Sequence, residues 1–130
     1  MPITNNKVLV VDDYHTHRQL IADFFEDAGY DVTALAATEE IGDELRECGI
    51  ILMDIQLAKD KPYAGIDYIV GQIQSGAINP AEKRIIFKTM WNEEMLSNHR
   101  EIIEGYEFWD CREGLAFTEL RSILKRGVTS

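Results

Sequence analysis

The chain has 130 residues, enough for one domain that buries roughly two-thirds of its unfolded surface without a disulfide or metal staple. A composition of 45% hydrophobic and 28% charged residues excludes a disordered chain. Lysine and arginine total 13 against 23 aspartates and glutamates, a formal charge of −10. That balance argues against binding nucleic acid or an anionic membrane through a broad basic face, while an acidic cluster would attract a divalent cation.

In chain order, residues 1–7 lack the apolar core of a signal peptide. Lys7-Val-Leu-Val-Val11 is a β-branched run that stops at two aspartates. Leu20, Ile21, Phe24, Phe25 and Ala28 form a helical stripe over 15–28, closed by Gly29. Asp31 to Leu35 is a weaker strand, followed by a helix after Thr38 with Ile41, Leu45 and Cys48 inward. Gly49 to Met53 is the clearest buried strand, and it stops at Asp54. Ile66, Ile69, Val70 and Ile73 mark a third helix that ends near Ser75-Gly76. Arg84 to Thr89 is a strand, a helix is expected over 92–104, and Gly105 to Trp109 is a short fifth strand. A last helix over 114–126 turns Ala116, Phe117, Leu120, Ile123 and Leu124 to one side.

This alternation calls for a parallel α/β sheet covered on both faces, and near-continuous apolar strands fit that burial. No run approaches the roughly 20 apolar residues of a membrane span. Cys48 and Cys111 form no CxxC pair, and are expected to be free thiols in a reducing cytoplasm. A single cytoplasmic domain over 1–130 is the expectation.

In open parallel sheets, function gathers beyond the carboxyl ends of the strands. Asp12-Asp13, Asp54, Thr89-Met90 and Asp110-Cys111-Arg112 stand there. Carboxylates from two strands crowded together would raise one another's pKa values. A hard cation relieves that cost, and magnesium suits an open site that keeps water and meets a phosphate. An ionised carboxylate beside the metal can then attack phosphorus.

At this point the chain resembles the receiver domain of bacterial two-component response regulators, over about residues 6 to 127. Val8-Leu-Val-Val-Asp-Asp13 is similar to the family's first strand and acidic pair, Ile51-Leu-Met-Asp54 to its third strand and phosphoacceptor, and Ile85-Ile-Phe-Lys-Thr89 to its fourth strand and switch hydroxyl. The resemblance implies a flavodoxin-like (βα)5 fold, doubly wound, with strand order 2-1-3-4-5 and helices on both faces. It implies that Asp54 takes a phosphoryl group from a histidine kinase or phosphotransfer protein. Asp12, Asp13, Asp54 and the backbone carbonyl of Gln56 would hold Mg2+, with Mn2+ as the alternative, and Thr89 would hydrogen-bond the phosphoryl group. Trp109 or Phe108 would be the switch aromatic. The output would be a downstream protein or fused domain. Any homodimer would form through the helix expected over 92–104, the fifth strand and the last helix. No turnover of an external substrate is implied.

The sequence departs from the family in three places. The position of the family's lysine after the fifth strand falls on Arg112, or on Cys111 in the other register. Arginine keeps the charge but is a planar fork rather than a compact ammonium. Lys88 is not expected to stand in for it, because strand alternation points it away from the face of Thr89. Met90 stands where the family has a small residue, and with Trp91 would tune access to the acyl phosphate. The loop from Gln56 to Gly65 is long and carries Lys59 and Lys61; it reads as a tolerated insertion. The competing function is a phosphorylation-independent pseudo-receiver, an interaction module of the same fold. A metal-dependent phosphatase would want an aspartate where Gln56 stands.

Overall fold

β-branched and aliphatic runs, bounded by turn residues, give this chain five short strands. The structure, a computed structural model, describes residues 6–57, 64–90 and 107–126. The strands are β1 (Lys7–Val11), β2 (Asp31–Leu35), β3 (Ile50–Asp54), β4 (Arg84–Thr89) and β5 (Glu107–Asp110). All pair in parallel, in the order β2-β1-β3-β4-β5. β3 and β4 are buried at every residue, as interior strands of a sheet covered on both sides must be.

The helices are α1 (His15–Asp27), α2 (Glu44–Glu47), α3 (Ala64–Gln74) and α4 (Phe117–Arg126). Leu9, Val11, Ile51, Met53, Ile85 and Phe87 point to one face, where Leu45 of α2 and Ile66 and Ile69 of α3 cover them. Val8, Val10, Ile50, Leu52, Ile86 and Trp109 point to the other, against Ile21 and Phe25 of α1 and Leu120 and Ile123 of α4. The chain runs outward from β1 to β2, then crosses back to β3. The β1–β3 boundary is therefore the switch point at which an open α/β sheet has its crevice.

Local chemistry sets the helix ends. α1 stops in a paired cap: Gly29 N–H donates to Glu26 O at 3.0 Å and Tyr30 N–H to Phe25 O at 3.0 Å, with Gly29 at φ 94°. The Tyr30 ring meets Phe25 edge-on at 5.4 Å, the apolar contact that accompanies such a cap. At the end of α4, the buried Arg84 side chain donates to the carbonyls of Ile123 and Leu124 while forking onto Glu107 at 2.7 Å through two nitrogens. One side chain thus ties β4, β5 and α4, and places a positive charge at a helix C-terminus.

Four expectations change. The helix expected after Thr38 is a 3₁₀ turn over Thr38–Glu40 followed by the four-residue α2. Glu40 and Glu44 draw the N–H groups of Ala36 and Gly42 into side-chain bonds of 2.7 Å, competing with a continuous helix. β3 and β5 begin and end one or two residues later than expected, so that Asp54 and Asp110 belong to the strands. The last helix starts at Phe117 because Gly114 holds a left-handed turn at φ 115°. Leu20, expected inward, is exposed. The helix expected over 92–104, with Trp91 before it, and Lys59 and Lys61 lie outside the described residues.

Candidate functional site

The switch point carries the charge. β1 runs straight into Asp12, whose N–H continues the ladder to Leu35 O at 3.1 Å. β3 ends in Asp54 itself. Asp12, Asp13 and Asp54 each offer a carboxylate oxygen within 4.8 Å of the others. Asp12 and Asp54 are buried, while Asp13 is exposed and opens the cluster to solvent.

Backbone donors fix the buried pair. Asp12 Oδ1 accepts Tyr14 N–H at 2.9 Å, and Asp54 Oδ1 accepts Gln56 N–H at 3.2 Å. Arg18 locks the turn by donating to the Asp12 carbonyl at 2.9 Å. Behind Asp54, Gly65 N–H donates to Ile55 O at 2.9 Å, which brings α3 hard against the end of β3. A Cβ on Gly65 would lie 2.1 Å from the Asp54 carbonyl oxygen, so only glycine fits.

Lys88 is the cation at this cluster. Its Nζ lies 3.0 Å from Asp12 Oδ2 and 3.9 Å from Asp54 Oδ2, and the side chain is buried. This corrects the expectation that Lys88 points away. Alternation does set Lys88 and Thr89 on opposite faces, but the carboxylates share the face of Lys88. Asp54 pairs directly across from Lys88, and Asp12 continues the parity of Val8 and Val10. The signal was present in the sequence: comparing Lys88 with Asp54 rather than with Thr89 would have found it.

Arg112, expected to supply the cation from beyond β5, is gripped by its neighbour. Its Nε lies 3.0 Å from both Asp110 carboxylate oxygens and its Nη2 2.7 Å from Oδ2. The Asp110 carboxylate also accepts the Arg112 N–H at 3.0 Å, a local turn that aims the fork back along the chain. This bonding holds the Asp110 carboxyl below its usual range. Cys111, the other register, is a fully buried thiol pushed up to about 12 by burial, with Lys88 opposing.

The electrostatics follow from these positions. Burial raises the Asp54 pKa; Lys88 opposes the rise and the Asp12 charge adds to it. Asp13 is raised as well, first by desolvation and then by Asp12. His17 stacks edge-on against Tyr14 at 4.5 Å with its Nδ1 buried and without a hydrogen bond, and desolvation and Lys88 lower its pKa.

The remaining site residues divide by face. Thr89 is buried at the end of β4, and its carbonyl accepts Cys111 N–H at 2.8 Å. Phe108 shares the face of Thr89 and stacks on Phe87 at 5.6 Å. Trp109 lies on the opposite face, fully buried, and donates its indole N–H to Ala116 O at 2.9 Å. Met90 is 46% exposed, a large apolar side chain left beside the crevice. Gln56 is exposed just beyond Asp54.

The donor set fits a hard divalent cation. Among the described residues three carboxylates face one ammonium here, and the buried Asp12 Oδ2 has no hydrogen bond, only its ion pair with Lys88.

Solved structures share this architecture. The N-terminal domain of the nisin resistance regulator NsrR matches with a TM-score of 0.72 at 21% identity, covering 97% of this chain and 100% of that one. The fold is that of a response-regulator receiver domain. The BeF3-activated receiver domain of Klebsiella pneumoniae RstA matches at TM-score 0.65 and 19% identity, over 95% of this chain and 100% of its own. Vibrio cholerae chemotaxis protein CheY4 matches at 0.63 and 21%, over 94% and 98%. No family model matches the sequence, and no curated protein matches it either.

Proposed function

We infer that the chain is a phosphoacceptor receiver domain of a two-component system, one domain over residues 1–130. The observation that supports it is Asp54 at the end of β3, inside a crevice shared with Asp12 and Asp13 at the sheet's switch point. Asp54 receives the phosphoryl group from a histidine kinase or phosphotransfer protein, and the chain turns over no external substrate. Asp12, Asp13, Asp54 and the Gln56 carbonyl would hold Mg2+, which when bound would supply charge neutralisation for the phosphoryl group.

The protein's own groups do the positioning, the main lever in phosphoryl transfer. Gln56 N–H holds Asp54 Oδ1, leaving Oδ2 as the attacking atom. Burial destabilises the Asp54 carboxylate and raises its pKa, and the Lys88 ammonium opposes that rise. Thr89 at the end of β4 hydrogen-bonds the phosphoryl group once it arrives. Of the two aromatics, Phe108 is placed to follow Thr89, since it shares that face, while the Trp109 indole is held by Ala116. The altered face then meets a downstream protein or fused output domain. Among the described residues no helix is long and apolar enough to cross a membrane.

Incubation with phosphoramidate and magnesium, followed by intact mass, tests the reading. One phosphoryl group is gained, and neither the Asp54→Asn protein nor a magnesium-free sample gains it. Equal gain by Asp54→Asn would refute the assignment. No gain by the folded, magnesium-bound protein would leave a phosphorylation-independent interaction module.

A further inference from the structure

We propose that Lys88, projecting from the fourth strand between Asp12 and Asp54, is the residue that binds the transferred phosphoryl group on Asp54. This rests on the phosphoacceptor reading and names the cation it requires. The position is set by the sheet. Lys88 and Asp54 occupy one rung of β3–β4, so their side chains leave the same face side by side. The ammonium stands 3.9 Å from Asp54 Oδ2, the oxygen that Gln56 does not hold. It is beyond hydrogen-bond range of that oxygen yet adjacent to the point where an attached phosphorus would lie.

Three further observations converge. Lys88 is fully enclosed, so its charge acts in a medium where it is worth far more than in water. Among the described residues its close partner is Asp12 Oδ2 at 3.0 Å, an oxygen with no hydrogen bond of its own. An ammonium has three donors, so contact with Asp12 leaves others for a phosphoryl oxygen. Arg112 is already forked onto Asp110 through Nε and Nη2. The same chain therefore has no lysine in the turn from Cys111 to Gly114 that follows β5 and carries one on β4 that reaches the carboxylates from within the sheet.

The step is simple to balance. Asp54 Oδ2 forms a bond to phosphorus as the P–N bond of phosphoramidate breaks. The electron pair leaves with ammonia, whose nitrogen is already protonated in the donor, and Lys88 keeps its three protons. Lys88 donates to an equatorial phosphoryl oxygen, where charge is spread in the transition state.

The two roles of Lys88 make an opposite-sign test. In the intact protein with Mg2+ added, Lys88→Met removes a donor to the phosphoryl group, and phosphoramidate labelling slows by about a hundredfold. It also removes the ammonium that competes at Asp12 Oδ2, so Mg2+ affinity, measured by calorimetry without any phosphodonor, rises. Arg112→Ala run beside it labels at the unaltered rate. A role confined to holding the site together would instead lower labelling and Mg2+ affinity together, and that result overturns the proposal. So does labelling of Lys88→Met at the unaltered rate, or loss of labelling in Arg112→Ala alone. If the unaltered protein binds Mg2+ but is never labelled, the phosphoacceptor reading fails and this inference falls with it.

Discussion

Two glycines in one helix should respond to the same substitution with opposite signs. Gly65 and Gly71 both lie in α3, and an alanine at either would gain the roughly 0.5–1 kcal/mol that a helix interior favours over glycine. At Gly71 a Cβ meets nothing within 4 Å, so Gly71→Ala stabilises by about that amount. At Gly65 the Cβ would sit 2.1 Å from the Asp54 carbonyl oxygen, 2.9 Å from its carbon and 3.0 Å from Met53 Cγ. The first of these needs a retreat of about 0.9 Å before the contact becomes one that real structures show. The neighbour is buried backbone, not a flexible side-chain end, so the strand end and the helix must part. Overpacking of this kind costs about 1–3 kcal/mol, which outweighs the helix gain and leaves Gly65→Ala destabilised by about 1–2 kcal/mol. Urea unfolding monitored by far-ultraviolet circular dichroism reads both variants on one scale. A Gly65→Ala midpoint equal to or above that of the unaltered protein, with Gly71→Ala lower, would refute the close approach of α3 to Asp54. Because the displaced atom belongs to the proposed phosphoacceptor, labelling of Gly65→Ala should slow as well.

Arg84→Met strips Glu107 of its partner and leaves the Ile123 and Leu124 carbonyls without their donor. Glu107 is 35% exposed and rehydrates, so the loss is about 2–3 kcal/mol rather than the full cost of a broken buried pair; hydrogen exchange should show α4 opening first. Cys111 has its thiol pKa raised from 9.0 to about 12 by the fold. The folded chain therefore keeps a proton that the unfolded chain loses above pH 9, and stability falls from pH 9 towards 12 by up to about 1.4 kcal/mol per pH unit. Cys111→Ala should flatten this alkaline limb, and an identical limb would refute the assignment. Met90 is exposed beside the crevice, so Met90→Ala should shorten the acyl-phosphate lifetime if it shields the phosphoryl group; an unchanged rate of phosphate loss sinks the shielding.

Strands and layers were legible because burial on both faces forces apolar runs, and those runs end at residues that cannot be buried unpaired. Asp12 and Asp54 stand out for that reason. The short α2 was not legible, because Glu40 and Glu44 compete for backbone donors in a way that apolar spacing does not record. Lys88 was misread from correct alternation applied to the wrong neighbour. Register across β3–β4 places it opposite Asp54, and register is a property of two strands together. For Arg112, position after β5 says nothing of the carboxylate two residues earlier that takes up its fork.

A lysine buried near the end of an interior strand would be a severe cost if it stood alone, since removing an ammonium from water costs several kcal/mol. Crowded carboxylates carry the complementary cost. Each is tolerable here because the switch point brings them within 3.0 Å of each other. Lys88→Met should therefore destabilise the magnesium-free protein by about 2–4 kcal/mol, since it leaves the carboxylates buried without their cation, and Asp12→Asn by less, since Asp54 remains 3.9 Å from Lys88. The double variant should lose less than the sum, with a coupling energy of about 1–3 kcal/mol in a double-mutant cycle. Additive losses would mean that the two side chains do not neutralise each other, and the ion pair on which the arrangement of this site rests would have to be abandoned.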